Sequence, residues 1–195
     1  MNKKRKITAI NQEKDDDKQD INIYTNENNI YYYSDVCPKS CIELIKCINK
    51  ANKFLNSSKL KYKYINLHIC SDGGEVYSAF SIIDIISSNK YKIITIAHGC
   101  VASAGVLISL AGYERHIHKH TYMLIHELRS GCWGKYSECI DDMQNNNTIM
   151  KDIKKYINVK CKNDNLKVEL NDILKHDILW NATKCLKYGL VDKII

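Results

Sequence analysis

The chain contains one proline, Pro38, two phenylalanines and no Cys-x-x-Cys pair among its 195 residues. With a single proline, the body is expected to consist of regular elements joined by few rigid loops. No apolar run approaches the ~18 residues that a bilayer-spanning helix needs. The polar, charged start lacks the apolar core of a secretory leader. Nine cysteines form an odd set (37, 41, 47, 70, 100, 132, 139, 161 and 185). An odd count without close pairs points to reduced thiols and a cytoplasmic or nuclear-type compartment. Cys70 and Cys100 fall within apolar runs and are expected as small core residues.

A dense basic surface is also missing. The formal net charge is +7. Residues 1–20 hold six basic and five acidic side chains, so +1 belongs to this segment and +6 to the rest. The remaining lysines are scattered, without an arginine–aromatic stripe, which argues against nucleic acid as the main partner. Residues 1–20 are charged and aperiodic and read as a disordered tail. Lys3-Lys4-Arg5-Lys6 could serve as a localisation signal or simply be a solvated terminus.

What is present is alternation. A short extended piece over Ile21–Tyr33 precedes a helix beginning near Pro38, with Cys41, Leu44, Ile45, Ile48 and Leu55 on its apolar stripe. The tyrosines 31–33 fit ordinary edge-strand packing. Tyr64–Cys70 alternates as a strand, and a Ser-Asp-Gly-Gly turn leads to a helix through Val76, Ala79, Phe80 and Ile83. A second strand, Lys92–His98, runs into Gly99 and then a helix over Gly105–Ala111. Thr121–Ile125 is a short strand ending at His126. A long amphipathic helix over 135–160 carries Tyr136, Ile140, Met143, Met150, Ile153 and Ile157. Helices near 167–175 and 182–188 follow, and Leu190–Ile195 closes the chain as a strand. Strands alternating with helices imply parallel pairing and an α/β fold, with residues 21–195 as one domain.

Hydrolysis of an amide needs a nucleophile, a base, a group that orients the base, and donors for the developing oxyanion. Ser103 sits at a strand-to-helix turn within Gly99-Cys100-Val101-Ala102-Ser103-Ala104-Gly105, where a hydroxyl and backbone N–H groups can be aimed at one point. His126 and a later carboxylate supply the other side chains. Gly73-Gly74 ends a strand and opens a helix, so its N–H groups can face the same crevice. Blander readings stand beside these. Ser103 could be a small turn residue, His126 a core histidine, and Gly73-Gly74 only a turn. Asp172 could replace Asp177 as the carboxylate. Cys100 could be suspected as nucleophile, but would lie on the strand before the turn. His116, His118 and His120 alternate on one strand face and could gather zinc, although no fourth ligand is evident.

Four short motifs together resemble the proteolytic subunit of the Clp protease family. They are Ser71-Asp72-Gly73-Gly74, the Gly99–Gly105 run around Ser103, Leu124-Ile125-His126-Glu127, and His176-Asp177-Ile178-Leu179-Trp180-Asn181-Ala182 leading to Tyr188-Gly189-Leu190-Val191-Asp192. The resemblance covers about 64–195, and more weakly 22–63. It implies a ClpP/crotonase-like α/β spiral of strand-turn-helix units, with the helix over 135–160 as a handle between rings. It also implies Ser103 as nucleophile, His126 as general base, Asp177 as its orienting carboxylate, and the N–H groups of Gly74 and Ala104 as oxyanion hole.

The activity so implied is that of a serine endopeptidase acting on unfolded polypeptide, without metal or other cofactor. Stacked heptameric rings and an ATP-driven AAA+ unfoldase would be its partners, with no membrane. Asp72 stands where the family has a proline; it could lie at the substrate groove or cap the next helix. The family's proline upstream of the histidine is also missing. Trp180 and Gly131-Cys132-Trp133-Gly134 resemble phage- and virus-type members. Three rival readings are a non-catalytic ring subunit, a crotonase-type acyl-CoA enzyme and a self-contained viral maturation protease.

Overall fold

The computed structural model describes residues 21–195; the tail expected over 1–20 lies outside the described residues. The extended piece at the start is a hairpin, β1 (Asn22–Asn26) and β2 (Asn29–Tyr33), paired antiparallel with Tyr24 opposite Tyr31. Its turn places Glu27 in the left-handed region at φ 56°.

Helix α1 (Pro38–Ser57) starts where expected. Cys37 is its N-cap: the Ser40 N–H donates to Cys37 Sγ, and the Cys37 N–H donates to Ser40 Oγ at 2.9 Å. Pro38 follows, where a missing N–H costs nothing. The fully buried Tyr32 hydroxyl meets Ser40 Oγ at 2.8 Å, tying this helix start to β2.

Strand β3 (Tyr64–Ser71) alternates strictly, burying Ile65, Leu67, Ile69 and Ser71. Helix α2 (Val76–Ser88) follows. Strand β4 extends past the expected end at His98, covering Lys92–Ala102. Helix α3 (Ala104–Leu110), strand β5 (Glu114–Ile117) and strand β6 (Tyr122–Leu124) come next. The handle-like helix α4 (Tyr136–Cys161) buries only its C-terminal part, through Ile153, Ile157 and Cys161. Tyr136, Ile140 and Met143, expected on its apolar stripe, are exposed in the single chain. Helix α5 (Asp164–Ile173), strand β7 (Trp180–Asn181), helix α6 (Ala182–Lys187) and strand β8 (Lys193–Ile194) complete the chain. The closing strand is thus shorter than the run 190–195. Among the described residues, no helix is long and apolar enough to cross a membrane.

The sheet order is β1-β2-β3-β4-β5-β8, parallel from β2 onward. The long strand β4 serves two neighbours. Ile94–Ala97 pairs with β5, and Cys100–Ala102 pairs with β6, which in turn holds β7 antiparallel. Arg115 on β5 is buried and reaches Asp192, the Lys160 carbonyl and the Gly189 carbonyl, clamping the C-terminal strand to the sheet. Burial raises the Asp192 carboxyl, but hydrogen bonds and charge from Arg115 outweigh it, and the net direction is downward.

Two expectations are corrected here. Only His116 of the three alternating histidines lies on β5, where it meets Glu114 at 3.1 Å. His118 instead joins a column across strands: His68 Nδ1 lies 2.8 Å from His98 Nε2, and the rings of His98 and His118 are 4.3 Å apart. Tyr31 stacks on His68, and Tyr24 on Tyr31. The cysteines are also not all reduced. Cys132 and Cys139 form a disulfide, because the segment after β6 turns back onto the first turns of α4; the other seven are free thiols.

Candidate active site

The site is built where strands end. Ala102 on β4 stands opposite Leu124 on β6 in parallel register, and the Ser103 N–H donates to the Leu124 carbonyl at 2.8 Å. Ser103 and the segment that carries His126 therefore leave the sheet side by side. Ser103 adopts φ 53° and ψ −124°, a conformation costly for a residue with a Cβ and typical of strained turns at reactive centres. It stands at the N-cap position of α3, yet its hydroxyl makes no capping bond to the helix. Instead it lines a cavity of about 270 Å³ together with His126.

The glycine turn flanks Ser103 from the β3 side, with Gly74 lining the cavity. Gly73 has φ 98°, and a Cβ there would lie 2.6 Å from Ser103 Cβ and 3.1 Å from the Ala104 nitrogen. The two turns are thus in direct contact, which only glycine permits. Gly74 has φ 140°, and its added Cβ would lie 2.2 Å from the Val36 carbonyl oxygen. Val36 grips this turn by donating to the Gly73 carbonyl and accepting from the Glu75 N–H, each at 2.7 Å. The N–H groups of Gly74 and Ala104 take part in none of the bonds that hold the two turns.

His126 is nearly buried, and its Nδ1 lies 3.8 Å from Asp177 Oδ1. The loop after α5 is drawn in by a bond from the Glu127 N–H to the Leu174 carbonyl at 2.8 Å. Asp177 also pairs with Arg129, an arginine the sequence reading did not single out. Asp172 is elsewhere, on α5, facing Lys175 at 4.0 Å. Cys100 is on β4 and outside the cavity lining, with its thiol raised by burial first and by Asp72 and Cys70 next. Asp72 lines the cavity; it does not cap α2, whose N-cap is Glu75. Leu107, Ile125, Leu128, Ile153 and Ile157 give the cavity an apolar wall.

A family profile described as Clp protease matches residues 16–195. The chain belongs to the Clp protease family. A similar relative is the ATP-dependent Clp protease proteolytic subunit 2 of Treponema denticola, 32% identical over 134 residues, covering 68% of this chain and 66% of that protein. The chloroplastic proteolytic subunit 6 of Arabidopsis thaliana is 26% identical over 142 residues, covering 67% of this chain and 48% of that protein. The chain thus spans between about half and two thirds of these relatives. Among solved structures, a point mutant of ClpP1 from Listeria monocytogenes superposes with a TM-score of 0.75 at 20% identity, covering 87% of this chain and 91% of that one. The expected ClpP/crotonase-like α/β architecture is therefore the fold of this chain.

Within that Clp protease fold, all five residues singled out from the sequence lie around one crevice. Ser103, His126, Gly74 and Ala104 line the cavity, and Asp177 stands behind His126. Arg129 was missed because its only signal is spatial: it lies 48 residues from Asp177 in sequence. Gly73 was read as half of a turn, whereas its contact with Ser103 shows that it sets the spacing between the turns.

Proposed function

We propose that this Clp protease family member is a serine endopeptidase subunit that hydrolyses peptide bonds of unfolded polypeptide. The observation that carries the reading is the meeting of Ser103, His126 and the Gly74 and Ala104 turns around one cavity, with Asp177 behind the imidazole. Ser103 Oγ attacks the scissile carbonyl while His126 takes its proton. Asp177 fixes the ring orientation and stabilises the imidazolium. The carbonyl oxygen, now an oxyanion, accepts from the Gly74 and Ala104 N–H groups; one such donor typically contributes ~2.7–4 kcal/mol to the transition state. The amine leaves with the proton from His126, and water activated by the same ring then hydrolyses the acyl-enzyme.

An extended substrate suits the crevice, since the glycine turn leaves room for a backbone to approach. The apolar wall from Leu107, Ile125 and Leu128 would take an apolar side chain, and Asp72 and Glu127 at the same cavity favour a basic neighbour. An oligomeric chamber fed by an ATP-driven unfoldase fits the similarity to two ATP-dependent Clp proteolytic subunits. The exposed apolar residues Tyr136, Ile140 and Met143 on α4 would be covered by ring stacking. Reduced surroundings in the cytoplasm remain part of this reading for the seven free thiols.

The 3.8 Å gap between His126 and Asp177 favours one alternative, a ring subunit that keeps the fold without turnover. Peptide hydrolysis by wild type and Ser103→Ala, alongside light scattering, separates the two. Turnover that disappears in the variant while assembly persists supports the peptidase; an assembled but inert wild type supports the structural subunit.

A further inference from the structure

Asp177 is the hinge of the proposed triad, and two side chains, Arg129 and His126, approach its carboxylate. One oxygen is ion-paired with Arg129 Nη2. The other lies 3.8 Å from His126 Nδ1, about 1 Å beyond the length of a charge-assisted hydrogen bond. The carboxylate is therefore engaged by the guanidinium and only near the imidazole.

The segment that carries Arg129 is held in place independently of Asp177. The Leu128 N–H donates to Met150 Sδ at 3.2 Å, and Asn146 Nδ2 donates to Ser130 Oγ at 2.8 Å, both from α4. Cys132 is bonded to Cys139 in the first turn of the same helix. Three ties thus fix residues 128–132 along α4 and leave Arg129 beside the cavity, which it lines. Asp177 comes from the loop between α5 and β7.

We propose that Arg129 is a positioning residue that withholds the Asp177 carboxylate from His126 and thereby sets how strongly the triad is coupled; this rests on the peptidase reading above. A guanidinium presents a planar fork of donors matched to a carboxylate, so it competes well with a single imidazole N–H. While paired, it neutralises much of the charge that would stabilise the imidazolium formed as Ser103 loses its proton. The pair is solvent-exposed, with side-chain accessibilities of 74% for Arg129 and 53% for Asp177. Exposed pairs are weak and screened by salt. The hold is consequently reversible: with the 128–132 backbone fixed, rotation of the exposed Arg129 side chain releases Asp177 to His126.

Other charged groups bear on the same ring. Asp72, Glu127 and Arg129 line the cavity with His126, and Lys175 and His176 directly precede Asp177. Only Arg129 is removed in the test. The full chain is compared as wild type, Arg129→Leu, and Arg129→Leu combined with Asp177→Asn. Two quantities are read: the titration midpoint of His126, by NMR of ¹⁵N-labelled imidazoles assigned with His126→Asn, and the pH profile of fluorophosphonate labelling at Ser103.

Removing Arg129 is expected to raise the His126 midpoint, because an uncompensated carboxylate favours the imidazolium. The plateau labelling rate should rise several-fold, and the acid limb should move to higher pH. Adding Asp177→Asn should cancel both changes, which general loosening of the surface would not do. An unchanged or lower midpoint in Arg129→Leu overturns the proposal, as does a lower plateau rate. If Ser103 fails to react in every variant, the peptidase reading fails, while the NMR midpoint still decides whether Arg129 withholds the carboxylate.

Discussion

The Ser103 N–H closes onto the Leu124 carbonyl at 2.8 Å, continuing the register that sets Ala102 opposite Leu124. This single relationship explains why a serine and a histidine 23 positions apart share a cavity: the C-terminal half of β4 and the short strand β6 end at the same level. Register in a parallel pair is fixed by which faces are buried. Val101, in the middle of the shared segment and opposite Met123, is fully buried.

The contact of the glycine turn with Val36 makes Gly74 intolerant of any side chain. Gly74→Ala places a Cβ 2.2 Å from a backbone oxygen at φ 140°, so the turn must move. A stability loss of about 1–3 kcal/mol is expected in urea denaturation. Peptide hydrolysis should fall by more than ~100-fold as one oxyanion donor is displaced. Unchanged turnover in a folded Gly74→Ala protein would remove Gly74 from the proposed site.

Arg115 is a structural counterpart, remote from the chemistry. It is 9% exposed, and its guanidinium binds Asp192 and the carbonyls of Lys160 and Gly189. Arg115→Ala strands Asp192 and the two carbonyls. Because Asp192 is partly solvated, the expected loss is near the lower end of the ~3–5 kcal/mol typical of broken buried pairs. Chemical denaturation measures it directly, and a loss below ~1 kcal/mol would mean water replaces the clamp.

The histidine column gives the fold an acid sensitivity. Burial first, then His118 and His68, lower His98 from 6.5 to about 4, and burial also lowers His68. The folded protein therefore binds protons less readily than the unfolded chain. Stability contributed by the neutral ring is fully present above pH 6.5 and is lost as pH falls toward about 4. Denaturation midpoints measured across this window should decline with acidification, and His98→Asn should flatten the slope. An equal slope in the variant would assign the acid sensitivity to other groups.

Thiol chemistry checks the crosslink beside the site. The sequence holds nine cysteines, and two are joined between 132 and 139. Alkylation of protein denatured without reductant should modify seven thiols, and nine after reduction. Nine without reductant would mean that the segment bearing Arg129 is tied to α4 only by its hydrogen bonds.

Much of this architecture was legible because it is local. Pro38 marked the start of α1, and the period-2 alternation of Ile65, Leu67 and Ile69 marked β3. Ser103 and the Gly73-Gly74 pair were legible as turns at strand ends, which have few alternative geometries, whereas the choice of Asp177 over Asp172 and the role of Ala104 came from the resemblance to the Clp proteolytic subunit. The remaining features depend on contacts between distant segments. Nothing in the run 92–102 announces that β4 changes partner midway, from β5 to β6. His118 alternates with His116 and His120 in sequence, yet its ring partner is His98 on a neighbouring strand. The Tyr136, Ile140 and Met143 stripe marked a helix correctly but not its cover, since a single chain leaves it exposed. Arg129 carried no motif at all.

The central claim, that Ser103 is a nucleophile activated in this crevice, is tested most directly by mapping a fluorophosphonate adduct by mass spectrometry on the assembled protein. A single adduct on Ser103, lost in His126→Ala and slowed in Asp177→Asn, is the expected result. An adduct on another residue, or none on a folded and assembled chain that still cleaves peptide, would contradict it.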